Sequence, residues 1–289
     1  GNPSVEPPKE VKEAIIKILN TEEPNFIHGY TNNSGFEDVR QQVAEYTNRK
    51  FGTSFSYENV VMTNGAAAAL NIIFRCILNP GDEIITFAPF FTEYRNYVAS
   101  YGCNLTIVPA NTETFEVNFD EFEKLITPKT KGVLMNTPNN PSGVVYSEET
   151  IKKIAAVMEK KQQEFGTDIY LISDEPYREL VYENIDVPYV SKYYKNTFVA
   201  YSFSKSLSLP GERIGYLIAN SEMKDFEKMM FALNVANRVA GFVNANSLFQ
   251  RVIPYCLDCK VDIEVYNRNR IDLYNKLTEL GFKCVKPVG

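Results

Sequence analysis

The sequence lacks the features of a membrane or secreted protein. No apolar run among its 289 residues is long enough to cross a bilayer, and no signal-peptide segment opens the chain. Only five cysteines occur, an odd number that is typical of reduced thiols and not of a disulfide framework. We therefore expect a cytoplasmic location and no membrane partner.

Excess positive charge and clustered metal ligands are also missing. The net charge is −6, whereas nucleic-acid-binding proteins typically carry a positively charged surface. Cys256 and Cys259 form one C-x-x-C pair, but a zinc site needs about four ligands. The only histidine, His28, lies far from that pair in the sequence. We predict neither a nucleic-acid partner nor a bound metal.

The common nucleotide-binding fingerprints are absent, whereas the pattern of an α/β fold is present. No G-x-G-x-x-G and no Walker loop occurs. From residue 60 onward, short apolar runs alternate with helical periodicity, which indicates βαβ units and a mostly parallel sheet. The predicted strands are 60–62, 83–87, 104–108, 132–135, 168–172, 198–203 and 214–219, with another beginning at Cys284–Val285 and a loop predicted at Phe26–Gly35.

The stretch Thr197–Asn220 places a lysine at the end of a buried strand. Lys205 follows the apolar run 198–203, and Arg213 stands at the start of the next apolar run. A buried lysine is costly unless its amine is used, and a partly desolvated amine is the usual Schiff-base nucleophile. The alternative is a lysine whose stem lies along the strand end while its amine reaches water.

Polar turns follow the other predicted strands, where open α/β sheets bind ligands. Asn64-Gly65-Ala66 begins a helix, and such an N-terminus can bind a phosphate. Ser202, Ser204 and Arg213 add hydroxyl groups and a bidentate cation, which also suit a phosphate.

Four further residues on these turns could bind an aromatic ligand. Asp174 could pair with a cationic ring nitrogen or simply close a turn. Phe91 could stack on a ring or belong to the core. Asn140 and Tyr177 could hydrogen-bond a ligand oxygen. Together with a Schiff-base lysine and a phosphate site, these groups meet the requirements of pyridoxal phosphate.

Three motifs resemble those of the class I and II aminotransferases, which are fold-type-I pyridoxal-phosphate enzymes. S-F-S-K-S-L-S-L-P-G-E-R-I-G resembles the cofactor-lysine signature of the family, with an arginine eight residues after the lysine. N-N-P-S-G resembles its Asn-Pro-[Ser/Thr]-Gly motif, and S-D-E-P-Y resembles its Asp-x-x-Tyr motif. The resemblance covers nearly the whole chain. It implies an α/β fold with a mostly parallel seven-stranded sheet flanked by helices, followed by only the start of a smaller C-terminal α/β domain.

The resemblance also sets the expected domain boundaries. We expect an N-terminal segment at 1–24, a large cofactor-binding domain at 25–250, and a linking helix with the start of a small domain at 251–289. Family members extend beyond both ends of this chain. Their C-terminal part carries the arginine that binds the substrate α-carboxylate, which has no match here. We therefore expect a domain-sized piece of a longer enzyme.

The resemblance implies transfer of an amino group between an α-amino acid and an α-keto acid by a ping-pong cycle. Lys205 would form the Schiff base with pyridoxal phosphate and move the proton, while Asp174 would keep the ring nitrogen protonated. Tyr177 and Asn140 would bond the ring oxygen, and Phe91 would stack on the ring. The implied phosphate contacts are Asn64, Gly65, Ala66, Ser202, Ser204 and Arg213.

A homodimer is implied too, because Tyr30 matches a tyrosine that family members extend into the phosphate site of the partner subunit. Gly1 and Asn140 are the implied substrate contacts. Two alternatives remain. A pyridoxal-phosphate-dependent cysteine–sulfur β-lyase would share the fold and the cofactor residues. A non-catalytic aminotransferase-like module of a transcriptional regulator would need a basic DNA-binding segment, and the acidic composition gives it no support.

Overall fold

A computed structural model describes residues 2–289. Gly1, a predicted substrate contact, lies outside the described residues. The chain divides into two compact units. Unit 1 comprises the residues up to Leu78 together with Ile172–Pro176 and Tyr189–Val261, and unit 2 comprises Asn79–Leu171, Tyr177–Pro188 and Asp262–Gly289. The boundaries expected at 24 and 250 stay a prediction.

Helices and strands alternate through most of the described chain. The α-helices are α1 Lys9–Thr21, α2 Pro24–His28, α3 Glu37–Phe51, α4 Ala66–Ile77, α5 Glu93–Ala99, α6 Phe119–Leu125, α7 Glu148–Phe165, α8 Phe203–Ser206, α9 Phe226–Val239, α10 Ser247–Val252 and α11 Glu264–Glu279. The strands are β1 Val60–Thr63, β2 Glu83–Phe87, β3 Asn104–Val108, β4 Thr130–Asn136, β5 Tyr170–Asp174, β6 Thr197–Ser202 and β7 Gly215–Ala219.

The strands form a seven-stranded sheet in the order β1-β7-β6-β5-β4-β2-β3. Strand β2 runs parallel to β3 and β4, whereas β7 runs antiparallel to both β1 and β6. Every residue of β6 and of β7 is buried, as expected for strands covered on both faces. The predicted α/β sheet flanked by helices is therefore confirmed, with β7 as an antiparallel member.

The core of unit 1 supports the strands that carry the candidate site. Val11 and Ile18 of α1 and Val43 of α3 pack in the same buried cluster as Val199 of β6 and Ile218 of β7. Burying such aliphatic side chains stabilises the fold by roughly 1.5–3 kcal/mol each. This packing holds β6 and β7 in place, and with them the strand ends that carry the candidate site.

Two local predictions were wrong. The predicted loop Phe26–Gly35 begins inside helix α2, where Pro24 occupies the first turn, a position in which its missing N–H costs nothing. Cys284–Val285 does not begin a strand. The extended tail instead makes isolated bonds within unit 2: the Val288 and Gly289 N–H groups both donate to the Gly143 carbonyl, at 2.8 and 3.0 Å. Two donors on one carbonyl do not form the repeating ladder of a strand.

Candidate active site

Lys205 lies on a helix of four residues at the end of a fully buried strand. Strand β6 continues directly into α8, and the Ser202 side chain caps this helix by accepting a hydrogen bond from the Ser204 N–H at 3.2 Å. Lys205 is half-buried, while its neighbours from Ser202 to Leu209 are buried. The fold therefore places one amine at the edge of the core, where a reactant can reach it.

The N-terminus of α4 forms a second part of the site. Gly65 precedes this helix with φ 81°, and no side chain caps the helix. A Cβ atom at Gly65 would lie 2.8 Å from an Arg213 guanidinium nitrogen, closer than real contacts allow. The backbone conformation thus favours glycine, and a larger residue would also push the Arg213 guanidinium aside.

Arg213 joins the N-terminus of α4 to the α8 turn. Its Nη1 donates to the Pro210 carbonyl at 2.9 Å and to Ser204 Oγ at 3.4 Å, and its Nη2 donates to the Asn64 carbonyl at 3.3 Å. Ser202 Oγ and Ser204 Oγ are 2.7 Å apart. Unit 1 therefore brings together one predicted group of residues: Asn64, Gly65, Ala66, Ser202, Ser204 and Arg213.

Gly215 is a residue of this group that the sequence analysis missed. A Cβ at this position would lie 2.2 Å from the Tyr201 carbonyl oxygen and 2.9 Å from Gly65 Cα. Only glycine lets β7 begin so close to both segments. The R-I-G end of the lysine motif was the available signal.

Asp174 ends β5, the neighbour of β6 in the sheet. Its side chain is buried, and an ionised carboxylate is costly there without charged or hydrogen-bonding partners. The next residue, Glu175, accepts a hydrogen bond from Ser173 Oγ at 2.8 Å, and its N–H donates to the Ala200 carbonyl at 2.8 Å. That backbone bond ties the end of β5 to β6, which carries Lys205.

Unit 2 brings together two other predicted residues. Asn140 Nδ2 donates to the Tyr177 hydroxyl at 3.2 Å, and the Asn140 N–H donates to Asn136 Oδ1 at 2.7 Å. The adjacent Asn139 donates through Nδ2 to the Pro89 carbonyl at 3.2 Å. The N-N-P-S-G turn is thus held to the segment that leads to Phe91.

Phe91 keeps part of its ring available for stacking. The ring packs edge-on against Tyr94, with centroids 5.6 Å apart, and 36% of the residue stays exposed. A ligand ring could cover this surface in the offset-stacked arrangement that aromatic groups favour.

Tyr30 is the predicted site residue that the structure leaves in solvent. The residue is 91% exposed. It lines an open recess of about 620 Å³ that also contains His28, Phe242 and Val243. His28 ends helix α2 and contributes to this recess, not to the group around Lys205.

The remaining reactive groups include the cysteines, and all five are free thiols. Burial raises the pKa of Cys256 to about 12 and also raises the pKa of Cys259. Among the described residues 2–289, no cluster of His, Cys, Asp and Glu could hold a metal ion. No helix in that range is long and apolar enough to cross a membrane.

Comparisons with known proteins identify one family. The model of the aminotransferase class I and II family matches residues 1–289. A Bacillus subtilis protein named as a probable N-acetyl-LL-diaminopimelate aminotransferase is 30% identical over 290 residues, covering 100% of this chain and 71% of its own length.

Solved structures agree with that family. A crystal structure of an amino transferase from Eubacterium rectale is 48% identical with a TM-score of 0.98, covering 100% of this chain and 73% of that chain. Thermus thermophilus aspartate aminotransferase with maleate is 28% identical with a TM-score of 0.88, covering 100% of this chain and 74% of that chain.

Proposed function

The chain belongs to the class I and II aminotransferase family, and from this premise we propose that it transfers an amino group between an α-amino acid and an α-keto acid. Enzymes of this family generally use pyridoxal phosphate. The observation that carries the proposal is the half-buried Lys205 on α8. The same helix carries Ser204, which Arg213 links to Asn64 before the N-terminus of α4.

The residues of unit 1 fit the phosphate of this cofactor. An uncapped helix N-terminus offers N–H donors and a positive dipole end to an anion. Arg213 adds charge-assisted hydrogen bonds. One of the Ser202 and Ser204 hydroxyls donates to the other, and the second is left to donate to the phosphate. The absence of a side chain at Gly65 leaves the backbone of α4 open to the approach of the phosphate.

The ring would be held by residues of different chemistry. We assign Asp174 to the ring nitrogen, where its carboxylate would keep a proton in place. The hydrogen-bonded pair Asn140 and Tyr177 would bind the ring oxygen, and Phe91 would stack on the ring. Bound pyridoxal phosphate supplies an electron sink for carbanion chemistry. The Lys205 amine would hold the cofactor and carry the proton that moves during transfer.

We also propose that the functional form is a homodimer in which Tyr30 reaches the phosphate site of the partner subunit. Its support is the exposure of this aromatic side chain, which is 91% and leaves the ring available for contact with a second subunit. The cytoplasm stays the proposed location because all five thiols are free, as in a reducing compartment.

The substrates that we propose are an α-amino acid and an α-keto acid as classes of compound. Named relatives act on different compounds, an N-acetylated diaminopimelate in one case and aspartate in others. All of them are named aminotransferases, which favours amino-group transfer over the β-lyase and over the regulator module.

The proposal is tested by a half-reaction. The protein is loaded with pyridoxal phosphate, and its visible absorption is recorded before and after a mixture of amino acids is added. We expect conversion of the bound cofactor to its amino form, and reversal when a keto acid is added. Pyruvate and ammonia formed without a keto acid would instead identify a β-lyase. No spectral change in the loaded protein would contradict both activities.

A further inference from the structure

Helix α8 is too short to be stable by itself. Its four residues form about one turn, and a single turn is unfavourable without outside support because nucleation fixes several dihedral angles for one hydrogen bond. The position of Lys205 therefore depends on the groups that hold the two ends of this turn. The Ser202 cap holds the first end. The Ser202 hydroxyl is also hydrogen-bonded to the Ser204 hydroxyl, and both belong to the residues proposed to bind the phosphate.

A different contact holds the second end. The Tyr201 hydroxyl donates to Ser206 Oγ at 2.9 Å, and both residues are buried. Tyr201 is a residue of β6, and Ser206 follows Lys205 immediately. The bond therefore links the strand to the far side of the lysine, so that Lys205 lies between two fixed points.

The Tyr201 ring is itself held by packing. It lies opposite Tyr216 in the β6–β7 register and stacks on that ring, with centroids 4.7 Å apart and an interplanar angle of 18°. Phe203 contacts it edge-on at 5.1 Å. Because the Tyr201 ring packs against Tyr216 of β7 and against Phe203, its orientation is fixed. Its hydroxyl can therefore hold the α8 turn in one position.

On these contacts, and resting on the role proposed above for Lys205, we infer that Tyr201 is a positioning residue for the lysine. Its hydroxyl holds the C-terminal end of α8, which fixes the backbone on the far side of Lys205. Removing this hydroxyl leaves the ring in place but deprives the buried Ser206 Oγ of its donor.

The variant that tests this inference is Tyr201→Phe, with Tyr216→Phe as the matched control. Both variants lose one tyrosine hydroxyl from the same stacked pair, and only the first loses the bond to Ser206. Amide exchange is measured on the protein without cofactor, at Leu207 and Ser208, whose N–H groups bond to the Phe203 and Lys205 carbonyls. We expect exchange about five- to tenfold faster in Tyr201→Phe, as for loss of one buried hydrogen bond, and unchanged in Tyr216→Phe.

Ser206 supplies the second arm. Ser206→Ala should match Tyr201→Phe, the double variant should add nothing further, and Ser206→Thr should restore slow exchange. The rate at which borohydride fixes pyridoxal phosphate on Lys205 should fall in the same variants and recover in Ser206→Thr.

The two arms separate failure of this inference from failure of the proposed function. Equal exchange in Tyr201→Phe and Tyr216→Phe, or additive effects in the double variant, would overturn the positioning role. Slow exchange that depends on Tyr201 in a protein whose Lys205 takes no cofactor would leave α8 supported as described and would refute the proposed function.

Discussion

At the residue scale, the backbone beyond Lys205 twice enters the left-handed region. Ser208 has φ 52° and Arg213 has φ 51°, a conformation that non-glycine residues adopt at a cost. In this conformation the Arg213 guanidinium donates to the Asn64 carbonyl and lies next to Gly65. Strain of this kind concentrates at functional sites.

Ser208 has the same left-handed conformation, but no side-chain hydrogen bond accompanies it among the described residues. Its buried Oγ has no hydrogen-bond partner among the described residues. We expect Ser208→Gly to raise the free energy of unfolding by about 1 kcal/mol, because glycine adopts this conformation freely. Ser208→Ala, which keeps the strain, should be close to neutral. Urea unfolding measures both, and a clear loss of stability in Ser208→Ala would show that the hydroxyl is bonded.

Gly65 is expected to affect cofactor binding more than stability. In Gly65→Ala the new Cβ would displace Arg213, and the affinity for pyridoxal phosphate should fall about tenfold or more, as for loss of one charge-assisted hydrogen bond. Gly81→Ala is the control, since Gly81 has φ 92° and a Cβ added there would meet no other atom within 4 Å. Both variants lose stability from the positive φ, and a comparable loss of affinity in Gly81→Ala would contradict the account.

At the element scale, the buried strands follow from the sequence pattern, whereas the shortest helices depend on tertiary contacts. The apolar runs at 198–203 and 214–219 predicted β6 and β7 to within one residue at each end. Helices α2 and α8 have five and four residues, too few for a periodic pattern. Pro24 and the capping Ser202 can be read from the sequence, but the Tyr201–Ser206 bond at the far end of α8 is seen only in the folded chain.

The turn that contains Cys256 links stability to pH. Burial raises the pKa of this thiol from 9.0 to about 12, so the folded chain keeps a proton that the unfolded chain loses. The contribution to stability is complete below pH 9 and is lost as the pH rises toward 12. Between pH 8 and pH 10 the protein should lose about 1 kcal/mol more than a Cys256→Ala variant does. Parallel pH dependence of the two proteins in urea unfolding would contradict the burial effect.

At the scale of the whole molecule, the motifs predicted the sheet and most of the residues proposed for the site. Lys205 and Asp174 follow predicted strands and Arg213 precedes one, so their place at the strand ends could be inferred. The roles of Gly215 and Tyr201 could not be inferred from the sequence. The role of Tyr201 arises from the pairing of β6 with β7, and that of Gly215 arises from the short distance between β7 and Gly65. No periodicity encodes these contacts.

The proposed homodimer can be tested by subunit mixing. Tyr30→Ala should weaken cofactor binding in the whole dimer, and Lys205→Ala should lose the covalent attachment. In a mixed dimer of these two variants, one site would combine Lys205 from one subunit with Tyr30 from its partner. We expect cofactor affinity to recover at that site after dissociation and reassembly. Absence of recovery in an isolated mixed dimer would exclude Tyr30 from the partner's site.

The central claim is that Lys205 holds the cofactor, and peptide mapping after borohydride reduction tests it most directly. The protein is incubated with pyridoxal phosphate, reduced, digested and analysed by mass spectrometry, with Lys205→Arg treated in parallel. We expect stoichiometric label on the peptide that contains Lys205 and no stoichiometric label in the variant. Label spread over surface lysines, equal in both proteins, would contradict it.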